Sequence, residues 1–103
     1  AQAKRPEMGQ VAADKADMLI ITDDNPRGED AAVIRTAIAR GAPAAQIVGD
    51  RRAAIAAAIA AARADDIVCI AGKGHEQGQI IGAGADMRVI PFDDVTVARE
   101  CAA

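Results

Sequence analysis

The sequence predicts an α/β fold: a three-layer arrangement in which a mostly parallel sheet carries helices on both faces, with a short antiparallel hairpin near the carboxyl end. Three observations predict it. Short apolar runs of strand length alternate with longer stretches of helical periodicity. Polar loops follow those runs, as they do at the open end of a parallel sheet. At 103 residues the chain is long enough for one core and too short for two.

Taken in order, Pro6 suits a first helical turn because its missing N–H is one that a helix start leaves unpaired. Val11, Ala12 and Ala16 then supply an apolar side, and Gly9 weakens the segment. Met18 to Thr22 is too short for a helix and is bounded by polar turn residues, so a buried strand is expected. Asp23 to Asp30 reads as a loop. From Ala31 to Arg40, residues Val33, Ile34, Ala37 and Ile38 share one helical side. Gly41 is expected as a left-handed stop, and Pro43 marks the break.

Gln46 to Gly49 forms a second short strand, after which Asp50 can cap a helix running through Ile55 and Ile59 to about Arg63. The alanines of that helix favour it and leave it thin enough to lie close to a sheet. Asp65 and Asp66 mark a turn. Ile67 to Ala71 is continuous and apolar, as expected of a third, central strand covered on both faces. After the loop from Gly72 to Gln79, Ile80 and Ile81 pair with Arg88 to Pro91 as the expected hairpin. Asp93 or Asp94 can cap a last helix through Val97 and Ala98.

Composition narrows the function classes. The net charge of -3 and the absence of a basic stripe argue against nucleic acid, and a single aromatic residue, Phe92, removes the stacking platform that single strands need. Cys69 and Cys101 are far apart and have no neighbours at metal-ligand spacing, so both read as reduced thiols and no metal site is expected. No apolar stretch approaches the ~20 residues of a membrane span, and the amino end lacks the apolar segment of a signal peptide. A cytoplasmic chain without membrane contact is the expectation.

Two loops carry the polar chemistry. The first is Thr22-Asp23-Asp24-Asn25-Pro26-Arg27-Gly28-Glu29-Asp30, and the second is Gly72-Lys73-Gly74-His75-Glu76-Gln77-Gly78. Arg27 can hold a carboxylate through two parallel hydrogen bonds, and Pro26 stiffens the backbone presenting it. Asp24 and Glu76 suit an ammonium. A ligand bearing both groups, such as an amino acid with an amino-acid side chain, is matched by this inventory. The same residue types are equally served by a plain turn, in which Asp24 and Asn25 shape the backbone and Arg27 pairs with Glu29 or Asp30.

The glycines of the second loop do not form a nucleotide motif. A P-loop requires Gly-x-x-x-x-Gly-Lys followed by Ser or Thr, whereas Gly74 follows Lys73 here. The dinucleotide pattern fails at Gln77, where its third glycine belongs. His75, the one histidine, reads as a hydrogen-bonding or surface residue before a catalytic base. Asp93-Asp94 reads as a helix cap before an acid–base couple.

Four segments in this order make the chain recognisable. Lys4-Arg5-Pro6-Glu7-Met8-Gly9, Thr22-Asp23-Asp24-Asn25-Pro26-Arg27, Ala71-Gly72-Lys73-Gly74-His75-Glu76, and Pro91-Phe92-Asp93-Asp94 with Val97-Ala98-Arg99 resemble the Mur ligases that add meso-diaminopimelate to UDP-N-acetylmuramoyl-L-alanyl-D-glutamate. The similarity runs over nearly the whole chain, on its carboxyl-terminal, amino-acid-binding domain, which is Rossmann-like. In that family the Asp-Asn-Pro-Arg segment binds meso-diaminopimelate and its arginine separates these enzymes from relatives that add lysine. The resemblance thus implies substrate contacts from Asp24, Asn25, Pro26 and Arg27, and from Gly72 and Glu76 in the second loop.

The family's reaction uses ATP and magnesium to convert the glutamate carboxylate of the UDP-N-acetylmuramoyl-dipeptide to an acyl phosphate, which the amine of diaminopimelate attacks. The resemblance assigns that chemistry to a P-loop in a central domain, so no bound cofactor and no catalysis are expected of residues 1–103 alone. It also implies a further strand and a Gly-Asp-Arg-type segment before Lys4, so the domain is expected to lack its first strand. The alternative is a stand-alone Rossmann-like nucleotide-binding or regulatory module without catalysis.

Overall fold

The computed structural model describes residues 4–24, 29–72, 78–81 and 88–103, with 79–81 and 88–91 described by their backbone. Among these the elements run α1 (Arg5–Lys15), β1 (Ile20–Ile21), α2 (Ala31–Ala39), β2 (Gln46–Ile47), α3 (Arg51–Ala61), β3 (Gly78–Ile81), β4 (Arg88–Pro91) and α4 (Asp94–Ala102). The order is that of an α/β chain.

β1, α2 and β2 form a parallel crossover unit, with Ile20 opposite Gln46 and Ile21 opposite Ile47. Its hydrogen bonds reach beyond those pairs. Gln46 N–H donates to Leu19 O at 3.0 Å, Val48 N–H to Ile21 O at 3.0 Å, and Asp23 N–H to Gly49 O at 3.3 Å. The ladder therefore occupies most of the two stretches expected to be strands. Both leave it at the same end, so the loop after Asp23 and the start of α3 emerge side by side.

Three of the helices begin on aspartate caps, which satisfy N–H groups that a helix start leaves open. Asp30 accepts from Ala32 N–H, Asp50 from Ala53 N–H and Asp93 from Thr96 N–H. Of the two candidates before the last helix, Asp93 is the cap, and Asp94 is buried. α1 instead starts with Pro6 in its first turn.

α1 packs on α2, and α3 on α4, while α2 and α3 both touch β1. Among the described residues Ile21, Ala42, Ala54, Ile55 and Val97 are the buried apolar side chains. The face that α1 buries differs from the expected one. Gly9 is buried with Pro6 and Ala12 half-buried, whereas Val11 is 50% exposed. The reason is close approach: a Cβ at Gly9 would stand 2.0 Å from Ile38 O, so the lack of a side chain, which costs helix propensity, is what lets α1 lie on α2. Val33, expected on the inner side of α2, is likewise 54% exposed, and Ile34, Ala37 and Ile38 carry that face.

Gly41 also serves differently. Among the described residues Gly72 is the glycine at positive φ. α2 ends through an αR residue, Arg40, and ordinary turn hydrogen bonds from Gly41 N–H to Ile38 O and from Ala42 N–H to Ala39 O. No left-handed reversal is needed. Gly41 is required by space, since a Cβ there would lie 1.7 Å from Pro6 O.

The third parallel strand is not found. Residues 67–71 carry no strand pairing among the described residues; Ile67 is 93% exposed and Cys69 is exposed too. An apolar run becomes a central strand only where neighbours supply hydrogen bonds and cover on both faces, and its composition cannot state whether they are there. β3 and β4 pair antiparallel, with Gly78 opposite Pro91 and Ile81 opposite Arg88. The turn expected between them falls on residues 82–87, outside the described residues. No helix among the described residues is long and apolar enough to cross a membrane.

Candidate functional site

The carboxyl end of β1 delivers Asp23 and Asp24, and the run from 67 delivers Ala71 and Gly72. The two stems meet. A Cβ placed on Gly72 would lie 3.6 Å from Asp24 Oδ2, so the first loop's carboxylate stands beside the second loop's backbone. Gly72 has φ +113°, a conformation that side-chain-bearing residues rarely adopt. Asn25, Pro26, Arg27 and Glu76 lie outside the described residues, as do Lys73 and His75.

What holds the stems together is a residue the sequence reading passed over. Arg51, the first residue of α3, extends its guanidinium between them: Nη1 donates to Asp23 O at 3.0 Å and Nη2 to Ala71 O at 3.2 Å. Asp94, at the start of α4, accepts from Nε at 2.8 Å and from Nη2 at 2.7 Å in the two-pronged geometry that suits guanidinium and carboxylate. Both side chains are withdrawn from water, 2% and 8% exposed. No buried side-chain nitrogen or oxygen among the described residues lacks a partner. A signal for Arg51 was available: a cation in a helix's first turn opposes the helix dipole and needs a compensating anion.

The first stem has a second tie. Asp23 Oδ1 accepts from Arg35 Nη1 at 2.5 Å, and Thr22 Oγ1 donates to Gly49 O at 3.1 Å. The far end of the loop is also fixed, because Glu29 accepts both Nη1 and Nη2 of Arg5 at 2.6 and 2.9 Å and Asp30 caps α2. That contact raises the Arg5 pKa, chiefly through its hydrogen bond to Glu29. Loop one therefore spans two anchored ends.

Away from these stems, a depression of about 650 Å³ runs between α1 and α2, lined by Arg5, Glu29, Val33, Thr36 and Arg40 among others. Neither Asp24 nor Gly72 lines it. Among the described residues no three His, Cys, Asp or Glu side chains gather where a metal ion could be held.

Fold and geometry together define an α/β domain in which the stems at Asp24 and Gly72 meet beyond the carboxyl end of β1. Residues 1–74 match the family described as Mur ligase, glutamate ligase domain. The chain belongs to that family. Among its relatives, the protein named UDP-N-acetylmuramoyl-L-alanyl-D-glutamate--2,6-diaminopimelate ligase of Zymomonas mobilis is 65% identical over 99 residues, covering 96% of this chain and 20% of the relative. Those of the same name from Caulobacter vibrioides and Bradyrhizobium diazoefficiens are 57% identical over 94 residues and 54% over 91, covering 91% and 88% of this chain. Each is covered over 18% of its own length, so the chain spans about one fifth of the relatives it matches.

Proposed function

We propose that this chain supplies recognition of meso-diaminopimelate to a cytoplasmic, ATP-dependent ligase that forms an amide bond in peptidoglycan precursor synthesis. Family membership and the relatives' names support the class, and a Rossmann-like sheet with helices on both faces is the architecture that goes with it. The observation that carries the reading is the meeting of Asp24 and Gly72, which brings the stems of both polar loops to one place.

In this reading Arg27 anchors the distal carboxylate of diaminopimelate through paired hydrogen bonds. Asp24 and Glu76 face its ammonium, Asn25 and Pro26 shape the loop, and the backbone at Gly72 lies against the ligand. ATP supplies activation of the precursor's carboxylate. That activation, with the UDP-N-acetylmuramoyl-dipeptide it acts on, is assigned to the P-loop domain of the ligase.

A calorimetric titration of the chain with meso-diaminopimelate, L-lysine and ADP tests the reading. Binding of diaminopimelate in preference to lysine, abolished by Arg27→Ala with the fold retained, is expected. Preference for ADP would favour a nucleotide-binding or regulatory module instead, and binding of none of the three would overturn the assignment.

A further inference from the structure

The stems of the two loops are bridged by one buried cation, and this gives Arg51 a role that its place on α3 does not suggest. A ligand gripped by side chains from both loops feels the distance between them, and that distance is set where the stems leave the fold. There the carbonyls of Asp23 and Ala71 are joined through the guanidinium, at 3.0 and 3.2 Å. Its orientation is fixed in turn by Asp94, which engages Nε and Nη2 together.

We propose that Arg51 is a positioning residue for the amino-acid substrate, setting the spacing of the loops that begin at Asp24 and Gly72, and that Asp94 acts through it. The inference rests on the recognition reading above. Three features carry it beyond simple packing. The guanidinium meets backbone carbonyls, so it fixes main-chain positions and leaves the loop side chains to the ligand. It spans three separated segments of chain, at positions 23, 71 and 94. Finally, the planar fork is needed: a lysine ammonium would place its donors on one atom and could not bridge two carbonyls and both carboxylate oxygens.

The test uses the full-length ligase carrying this chain, with diaminopimelate-dependent ADP release as the assay. Arg51→Lys and Asp94→Asn, each checked by thermal melt, are expected to raise KM for diaminopimelate roughly tenfold, with kcat and KM for ATP held within about twofold. A merely structural role would lower the melting temperature and the active fraction while KM stayed put, and that result in the variants that fold would overturn the proposal. Asp94→Asn keeps the size of the side chain and one of its two acceptor oxygens while removing the charge, so it carries the test if Arg51→Lys fails to fold. Arg27→Ala in the same assay separates the two levels. A raised KM there, with KM unmoved in the Arg51 and Asp94 variants, leaves substrate recognition standing and removes the positioning role. No response of the unsubstituted enzyme to diaminopimelate removes both.

Discussion

Arg35 reaches back from α2 to hold Asp23, with Nη1 2.5 Å from Oδ1, and it does so directly over Gly49. A Cβ on Gly49 would stand 2.7 Å from Nη1 and 3.0 Å from Cζ of that guanidinium. The glycine after β2 thus makes room for the cation that steadies the residue after β1.

Gly49→Ala is expected to be mild in stability and visible in binding. The obstructing atoms are the end of a long side chain, so Arg35 swings aside and the partly exposed pair with Asp23 is lost, at a cost of about 1 kcal/mol. Chemical denaturation should register that small loss. Calorimetry should show weaker diaminopimelate binding, and unchanged binding would mean that the Asp23 tie does not matter to the loop.

Gly41→Ala should behave in the opposite way. Its new methyl would meet Pro6 O at 1.7 Å, a backbone atom that cannot swing away, so α1 must lift from α2. A loss of roughly 3 kcal/mol is expected from overpacking of this kind. A denaturation midpoint close to that of the unsubstituted chain would show that the contact of the two helices is looser than described.

Adjacent arginines should separate cleanly. Arg51→Met strands Asp94 without its counter-charge, and removal of one partner from a buried pair costs about 3–5 kcal/mol. Arg52 reaches Glu100 on the surface, where both side chains are half-exposed. The pair raises the Arg52 pKa, first through its hydrogen bond to Glu100, but water and salt screen it. Arg52→Ala should leave the thermal midpoint where it was, and equal losses for the two arginines would contradict the burial that distinguishes them.

Gly72→Ala tests backbone strain by itself. The added methyl finds ordinary contact with Asp24 Oδ2 at 3.6 Å, so no clash enters. The positive φ remains, and holding alanine there costs about 1–3 kcal/mol. Diaminopimelate binding is expected to fall, because escape from that strain would move the backbone at position 72 away from Asp24. An alanine variant with unaltered binding and stability would exclude that backbone conformation as a requirement.

Acid should weaken the start of α4 through Asp93. Its carboxyl pKa is lowered, mainly by the hydrogen bond from the Thr96 side chain and then by the backbone of the same turn. A group depressed in the folded chain contributes stability at pH above its unfolded value and loses that contribution as pH falls through its folded value. The decline therefore lies below the usual aspartate range. Melting temperature followed against pH should fall less steeply there in Asp93→Asn than in the unsubstituted chain.

Local signals in the sequence were read well where the cause is local. Asp50 and Asp93 cap the helices that follow them because the capping bond closes within three residues. The parallel ladder between the stretches at 18–22 and 46–49 follows from two short apolar runs with an amphipathic helix between them. The misreadings share one origin, which is dependence on a distant partner. Gly9 and Gly41 look like a weakness and a stop until the other helix is beside them. Ile67 looks buried because its neighbours are apolar, yet cover comes from elsewhere in a fold. Arg51 goes unmarked by any local motif because its partner lies 43 positions away. At the candidate site, Asp24 lies near Gly72 although the second stem is not a strand of the parallel ladder, and the guanidinium that links the two stems is visible only in three dimensions.

The acid that steadies Arg51 belongs to the opening turn of the carboxyl-terminal helix. When that turn frays, the guanidinium loses its counter-charge, and the carbonyls of Asp23 and Ala71 lose a shared donor in the same event. The backbone positions of both loop stems are thus coupled to the breathing of a helix that neither loop adjoins in sequence.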